Sequence, residues 1–168
     1  MAGGALALKT QNRWEQKVAD QLPLMGHRNW IVIVDSAYPL QTSSGVETIE
    51  TGEDQLVVLD CVLGAIKDSR HVRPLVYIDA ELEYVSESDA PGVGRYREQL
   101  RERLAGLPGE PVLHESLIKR LNQAGESFSV LVLKTTMTIP YTSVFLELDC
   151  KYWGAVAEAS LRTRMNAG

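Results

Sequence analysis

Cysteine is scarce in this chain: Cys61 and Cys150 are the two among 168 residues. Two cannot make a disulfide framework, and their neighbours (Leu59 to Leu63, Leu146 to Tyr152) are apolar, which suits a pair of reduced, buried thiols. Histidine is nearly as rare. None of His27, His71 and His114 has a Cys, a second His or another ligand at metal spacing, so no metal site is expected. The chain has no Gly-x-Gly-x-x-Gly after a strand and no Gly-x-x-x-x-Gly-Lys-Ser/Thr, which leaves nucleotide cofactors without a motif; the expectation is no cofactor. Gly-x-Ser-x-Gly is missing too, and with it the commonest serine-hydrolase signature. No apolar run approaches a membrane span, and residues 1–8 lack the basic n-region of a signal peptide, so the expected location is cytoplasmic, away from a membrane. A basic surplus is also absent. With 17 Lys and Arg against 22 Asp and Glu, scattered among one another, the net charge of -5 argues against a nucleic-acid partner.

What is present is an ordinary globular composition, 45% hydrophobic and 23% charged, at a length that suits one domain over residues 1–168. Asn12-Arg13-Trp14-Glu15 has the form of a capping box, and Trp14, Val18 and Leu22 recur on one helical face, predicting a first helix that ends near Gly26. Trp30 to Val34 is a continuous apolar run rich in β-branched residues, the pattern of a central strand buried on both faces. Val46 to Glu50 alternates like a half-exposed strand. Glu53-Asp54 opens a helical stretch through Ile66, acids at its N-terminus. Leu75 to Ile78 predicts a second buried strand and Arg95 to Leu107 a charged amphipathic helix ended by Pro108-Gly109. A helix over Glu115 to Ala124, strands over Phe128 to Leu133 and Val144 to Leu148, and a terminal helix from Trp153 to Met165 complete the order. The alternation predicts an α/β fold, a three-layer sandwich with helices on both faces of a mixed, largely parallel sheet.

The candidate chemistry centres on Met25-Gly26-His27 and Asp35-Ser36-Ala37-Tyr38-Pro39. An imidazole near its unperturbed pKa both gives and takes protons at neutral pH, as a reaction that protonates one oxygen and deprotonates another requires. Spacing alone leaves a second reading open: a histidine after a helix stop and an aspartate at a strand end are also common structural residues.

Those two segments, with a fainter match at Arg95-Tyr96-Arg97-Glu98-Gln99-Leu100 and another at Pro140-Tyr141-Thr142-Ser143, resemble the D-ribose pyranase and L-fucose mutarotase family. The resemblance implies an isomerase that interconverts cyclic forms of a free, fucose- or ribose-like monosaccharide without a cofactor. It implies His27 as general acid/base, Asp35 holding the sugar, and Tyr141 lining the pocket, with Ser143, His114 and Arg95 as further binding residues. It also implies a homo-oligomer, a pentamer-based ring with the pocket shared between subunits, and the apolar stretch from Val144 to Trp153 points the same way. The chain departs from the family at Ser143, where an asparagine is usual, and at Asn29, where an acid is. Those changes motivate the alternatives of a non-catalytic sugar-binding or regulatory protein and of an oligomeric scaffold. His27 and Asp35 flank one strand, and five or more extended residues span roughly 17–20 Å, so a site using both needs two subunits.

Overall fold

The computed structural model describes residues 13–168. The Asn12 position of the capping box lies outside them. Helix α1 (Arg13–Gln21) runs into a short 3-10 turn (Leu22–Leu24) with Pro23 inside it, and the chain then enters strand β1 (Trp30–Val34). There follow β2 (Val46–Glu50), α2 (Gln55–Asp68), β3 (Val72–Asp79), a 3-10 turn (Ala80–Tyr84), α3 (Val93–Leu104), β4 (Gly109–Val112), α4 (His114–Gly125), β5 (Val130–Lys134), β6 (Val144–Cys150) and α5 (Ala155–Asn166). Asp54 caps α2, its Oδ1 accepting the Leu56 N–H at 2.9 Å, which offsets one of the orphan donors of that helix end.

The strands form one six-stranded sheet in the order β2-β5-β1-β6-β3-β4. β2, β5 and β1 pair parallel, β3 and β4 pair parallel, and β6 runs antiparallel between β1 and β3. The expected sheet of mixed but largely parallel strands is therefore the one observed. β6 is the single reversed strand, so the C-terminal ends of β1 to β5 and the N-terminal end of β6 share one edge of the sheet.

β1 sits at the centre because both its faces are apolar. Ile31 and Ile33 join a core with Trp14 and Val18 of α1, Leu59 and Val62 of α2, and Val93 and Leu100 of α3. Trp30, Val32 and Val34 join a second core with Leu117 and Leu121 of α4 and Phe145 of β6. Each buried Leu or Ile contributes roughly 1.5–3 kcal/mol by leaving water, so this strand anchors both layers.

The strands expected at Phe128 to Leu133 and Val144 to Leu148 are β5 and β6, and β1 lies between them and pairs with both. Three expectations need correction. Pro108-Gly109 does not end the helix, which stops at Leu104 with Gly106 following at φ 79; Gly109 instead begins edge strand β4, where a Cβ would run into the Val76 carbonyl, and Pro111 is tolerated because an edge strand has one unpaired side. The apolar residues of Val144 to Leu148 are consumed by the chain's own core, so they give no support to an oligomer; Tyr152 and Trp153 are what that stretch exposes. Finally, Cys61 and Cys150 are free thiols as expected, but half-buried rather than enclosed.

Candidate active site

The shared sheet edge collects the polar side chains that the core excludes. Asp35 follows β1, Asp79 ends β3, His114 opens α4 directly after β4, and Tyr141 precedes β6. His114 lies at the centre of the group. Its Nδ1 is 2.9 Å from Oδ1 of Asp79, and its ring stands edge-on between two tyrosines, 5.6 Å from the Tyr141 centroid and 6.4 Å from that of Tyr38. The backbone beneath it is fixed as well: both carboxylate oxygens of Glu81 accept the His114 N–H at 3.1 Å, placing an anion at the N-terminus of α4.

The loop after β1 is tied down on both sides. The Ser36 N–H donates to the Met137 carbonyl at 2.8 Å and Ser36 Oγ to that of Thr135 at 3.0 Å, while the Tyr38 hydroxyl donates to Gln41, which in turn donates to Asn122 of α4. The loop before β6 hangs on a buried polar network. Gln55, at the start of α2, and the Tyr96 hydroxyl both donate to the Thr142 carbonyl, and the Thr135 hydroxyl donates to Gln55 Oε1 at 2.9 Å. Thr142 Oγ1 closes the turn on the Ile139 carbonyl. Tyr141 is thereby held at φ 58, a left-handed conformation that tyrosine seldom adopts, with its side chain 40% exposed.

The electrostatics follow from burial beside this single imidazole. Burial raises the Asp35 carboxyl above the usual carboxylate range, against the Ala37 N–H and the nearby His114 and Lys134, which lower it. Burial likewise raises Asp79, opposed by its hydrogen bond to His114. The hydrogen bond that His114 donates to the Asp79 carboxylate raises it above the ordinary imidazole value despite the partial burial of the ring. Burial raises the Tyr38 phenol, with Asp79 and Asp35 adding to the effect, so Tyr38 stays neutral and can donate. The group thus offers one imidazole whose Nε2 has no hydrogen-bond partner among the described residues, a carboxylate within Coulombic reach of it, and two aromatic faces with polar tips. That set suits a small polyhydroxylated ligand and proton exchange at its oxygens.

Of the residues singled out in the sequence, the fold brings together Asp35, His114 and Tyr141. Ser143 stands beside them in the chain, but at 2% exposure it is the least accessible. Arg95 is on the exposed side of α3 with no hydrogen bond or ion pair among the described residues. His27 is exposed at the opposite edge, before β1, where the neighbouring Arg28 N–H donates to the Leu148 carbonyl. Asn29 serves the backbone there, accepting the Gly26 N–H and donating to the Ser129 carbonyl. Sequence reasoning missed Asp79, Glu81, Tyr38 and Gln55. Tyr38 belongs to the quoted motif, whereas Asp79 ends a strand whose apolar residues drew all the attention.

A cavity of about 540 Å³ between α2, β3 and α3 is lined mainly by Leu63, Ile66, Val72, Pro74 and Leu107, with Arg103 already paired to Asp60. Its lining includes no histidine. The edge cluster is the candidate site because the chemistry is there.

No protein-family model and no curated protein matches this sequence. Solved structures do. RbsD of Bacillus subtilis in complex with D-ribose aligns at 18% identity over 79% of this chain and 91% of that one, with a TM-score of 0.55. A fucose mutarotase of Streptococcus pneumoniae in complex with L-fucose aligns at 20% identity over 79% and 91%, with a TM-score of 0.54. FucU of Bifidobacterium longum aligns at 16% over 80% and 94%, with a TM-score of 0.52. The chain shares the fold of these structures, the fold that its Gly-His and Asp-Ser-Ala-Tyr-Pro segments lead one to expect.

Proposed function

We propose that the chain is a divergent relative of the D-ribose pyranases and L-fucose mutarotases, and that it interconverts the cyclic forms of a free monosaccharide by general acid/base ring opening, in the cytoplasm. The observation that carries this reading is the convergence of Asp35, Asp79-bound His114, Tyr38 and Tyr141 on one sheet edge, in a fold shared with structures that hold ribose or fucose.

The step divides as follows. His114 Nε2 takes the proton of the anomeric hydroxyl, the electrons left on that oxygen form the carbonyl, and the bond from the anomeric carbon to the ring oxygen breaks. The ring oxygen takes a proton in the same step. Closure of the other face, or of another hydroxyl, reverses both transfers. Asp35 holds sugar hydroxyls, and Tyr141 lays its ring on the apolar face of the sugar. Acid/base groups so placed supply typically about 10²–10⁴-fold. His27 is the acid at the ring oxygen, supplied by a neighbouring subunit of a homo-oligomeric ring; its exposure at the edge opposite Asp35 supports this.

Saturation-transfer NMR with a panel of free aldoses tests the reading. Accelerated exchange between anomers or ring forms of at least one sugar is the expected result. Line broadening without exchange would replace the isomerase with a sugar-binding protein, and the absence of both would remove the sugar altogether.

A further inference from the structure

Asp79 is 1% exposed, and its carboxylate makes one hydrogen bond, Oδ1 lying 2.9 Å from Nδ1 of His114 and placed to accept its proton; Oδ2 is buried with no partner among the described residues. A buried carboxylate half-satisfied in this way is a cost to folding that an apolar residue at the end of β3 would not carry. Among the described residues its one ion-pair partner is His114. We propose that Asp79 is the positioning residue of the site: it fixes His114 in the tautomer that carries its proton on Nδ1, and so leaves Nε2 as the atom that exchanges protons with the ligand.

Three features of the geometry support this assignment. The Glu81 carboxylate accepts the His114 backbone N–H, which fixes the point from which the ring reaches Asp79. Tyr38 and Tyr141 flank the ring edge-on, with centroids 6.4 and 5.6 Å from it. Nε2 has no protein partner among the described residues, which is what an atom reserved for a ligand requires. The groups facing the imidazole are Asp79, Glu81 and Asp35 from the strand ends, Glu115 from α4 itself, and the two phenols. All the charged ones are acids, so the protonated ring is favoured and the base form arrives later in a pH titration than for a free imidazole.

The inference rests on the reading of this cluster as the reacting site, and the test separates the two. Long-range ¹H–¹⁵N spectra of the full-length protein, with the His114 signals assigned by loss in His114→Gln, give the tautomer and the titration midpoint without any sugar. The wild type is expected to show the Nδ1–H tautomer and a midpoint above the ordinary value of about 6.5. Asp79→Asn is expected to lower that midpoint and lose the single tautomer. In the same variant sugar exchange should fall at least about tenfold, toward the roughly 10⁴-fold that a wrong tautomer costs in a serine-protease triad, with sugar affinity changed far less. A wild-type His114 protonated on Nε2, or an Asp79→Asn protein with unchanged tautomer and midpoint, would overturn the assignment whatever the exchange rate. Correct spectra in a protein that turns over no sugar would leave Asp79 in place and refute the function instead.

Discussion

Tyr141 carries a backbone cost of about 1–3 kcal/mol at φ 58, and such costs persist only where the surroundings impose them. Here the Thr142 carbonyl, gripped by Gln55 and Tyr96, imposes it, and the result is a phenol ring against His114. If the ring packs on a sugar face and its hydroxyl bonds sugar oxygens, Tyr141→Phe should weaken binding about 3–10-fold and Tyr141→Ala by more, the first being the loss of one hydrogen bond of about 1 kcal/mol. Titration calorimetry with the sugar that exchanges fastest gives both numbers. Unchanged affinity in both variants removes Tyr141 from the site. Tyr141 and His114 were legible in the sequence through family resemblance alone, because nothing in their spacing predicts a contact. What brings them together is the antiparallel insertion of β6, which turns the Tyr141 loop back over the edge where α4 begins.

Elements were legible where their chemistry was one-sided. β1 declared itself because a run of Trp, Ile and Val cannot face water on either side, and α4 because Leu117 and Leu121 recur at helical spacing. β4 did not, because Gly-Glu-Pro-Val reads as a turn, and it becomes a strand only by pairing with β3. Gln55 was not legible for a related reason: a polar residue at a helix start looks exposed, yet it is fully buried and joins α2 to Tyr96 of α3, to Thr135 just past β5 and to the loop before β6. Gln55→Leu would leave the Thr135 and Thr142 groups with fewer partners in a dry interior. The expected cost is about 1–3 kcal/mol in urea unfolding, with the m-value unchanged. A change below about 0.5 kcal/mol would mean the network does not hold the loop.

On the scale of the whole molecule, five parallel strands and one reversed neighbour put the reactive groups on one edge, and the helical layers leave that edge open. α5 lies outside both cores. It buries no residue, and the contacts at its start are local, Glu158 pairing with Trp153 and Arg162. Deleting residues 155–168 should therefore change the unfolding free energy by less than about 0.5 kcal/mol, as surface changes usually do. A loss of several kcal/mol in thermal or urea unfolding would show that α5 packs on another subunit.

The central claim is that the edge cluster built around His114 turns over a free sugar. Saturation-transfer exchange rates for wild type and His114→Gln, on the same aldose panel at the same pH, test it most directly. The account predicts catalysed exchange of at least one sugar in the wild type and a loss of about 10²–10⁴-fold in the variant. Exchange at the wild-type rate in a folded His114→Gln protein would contradict it.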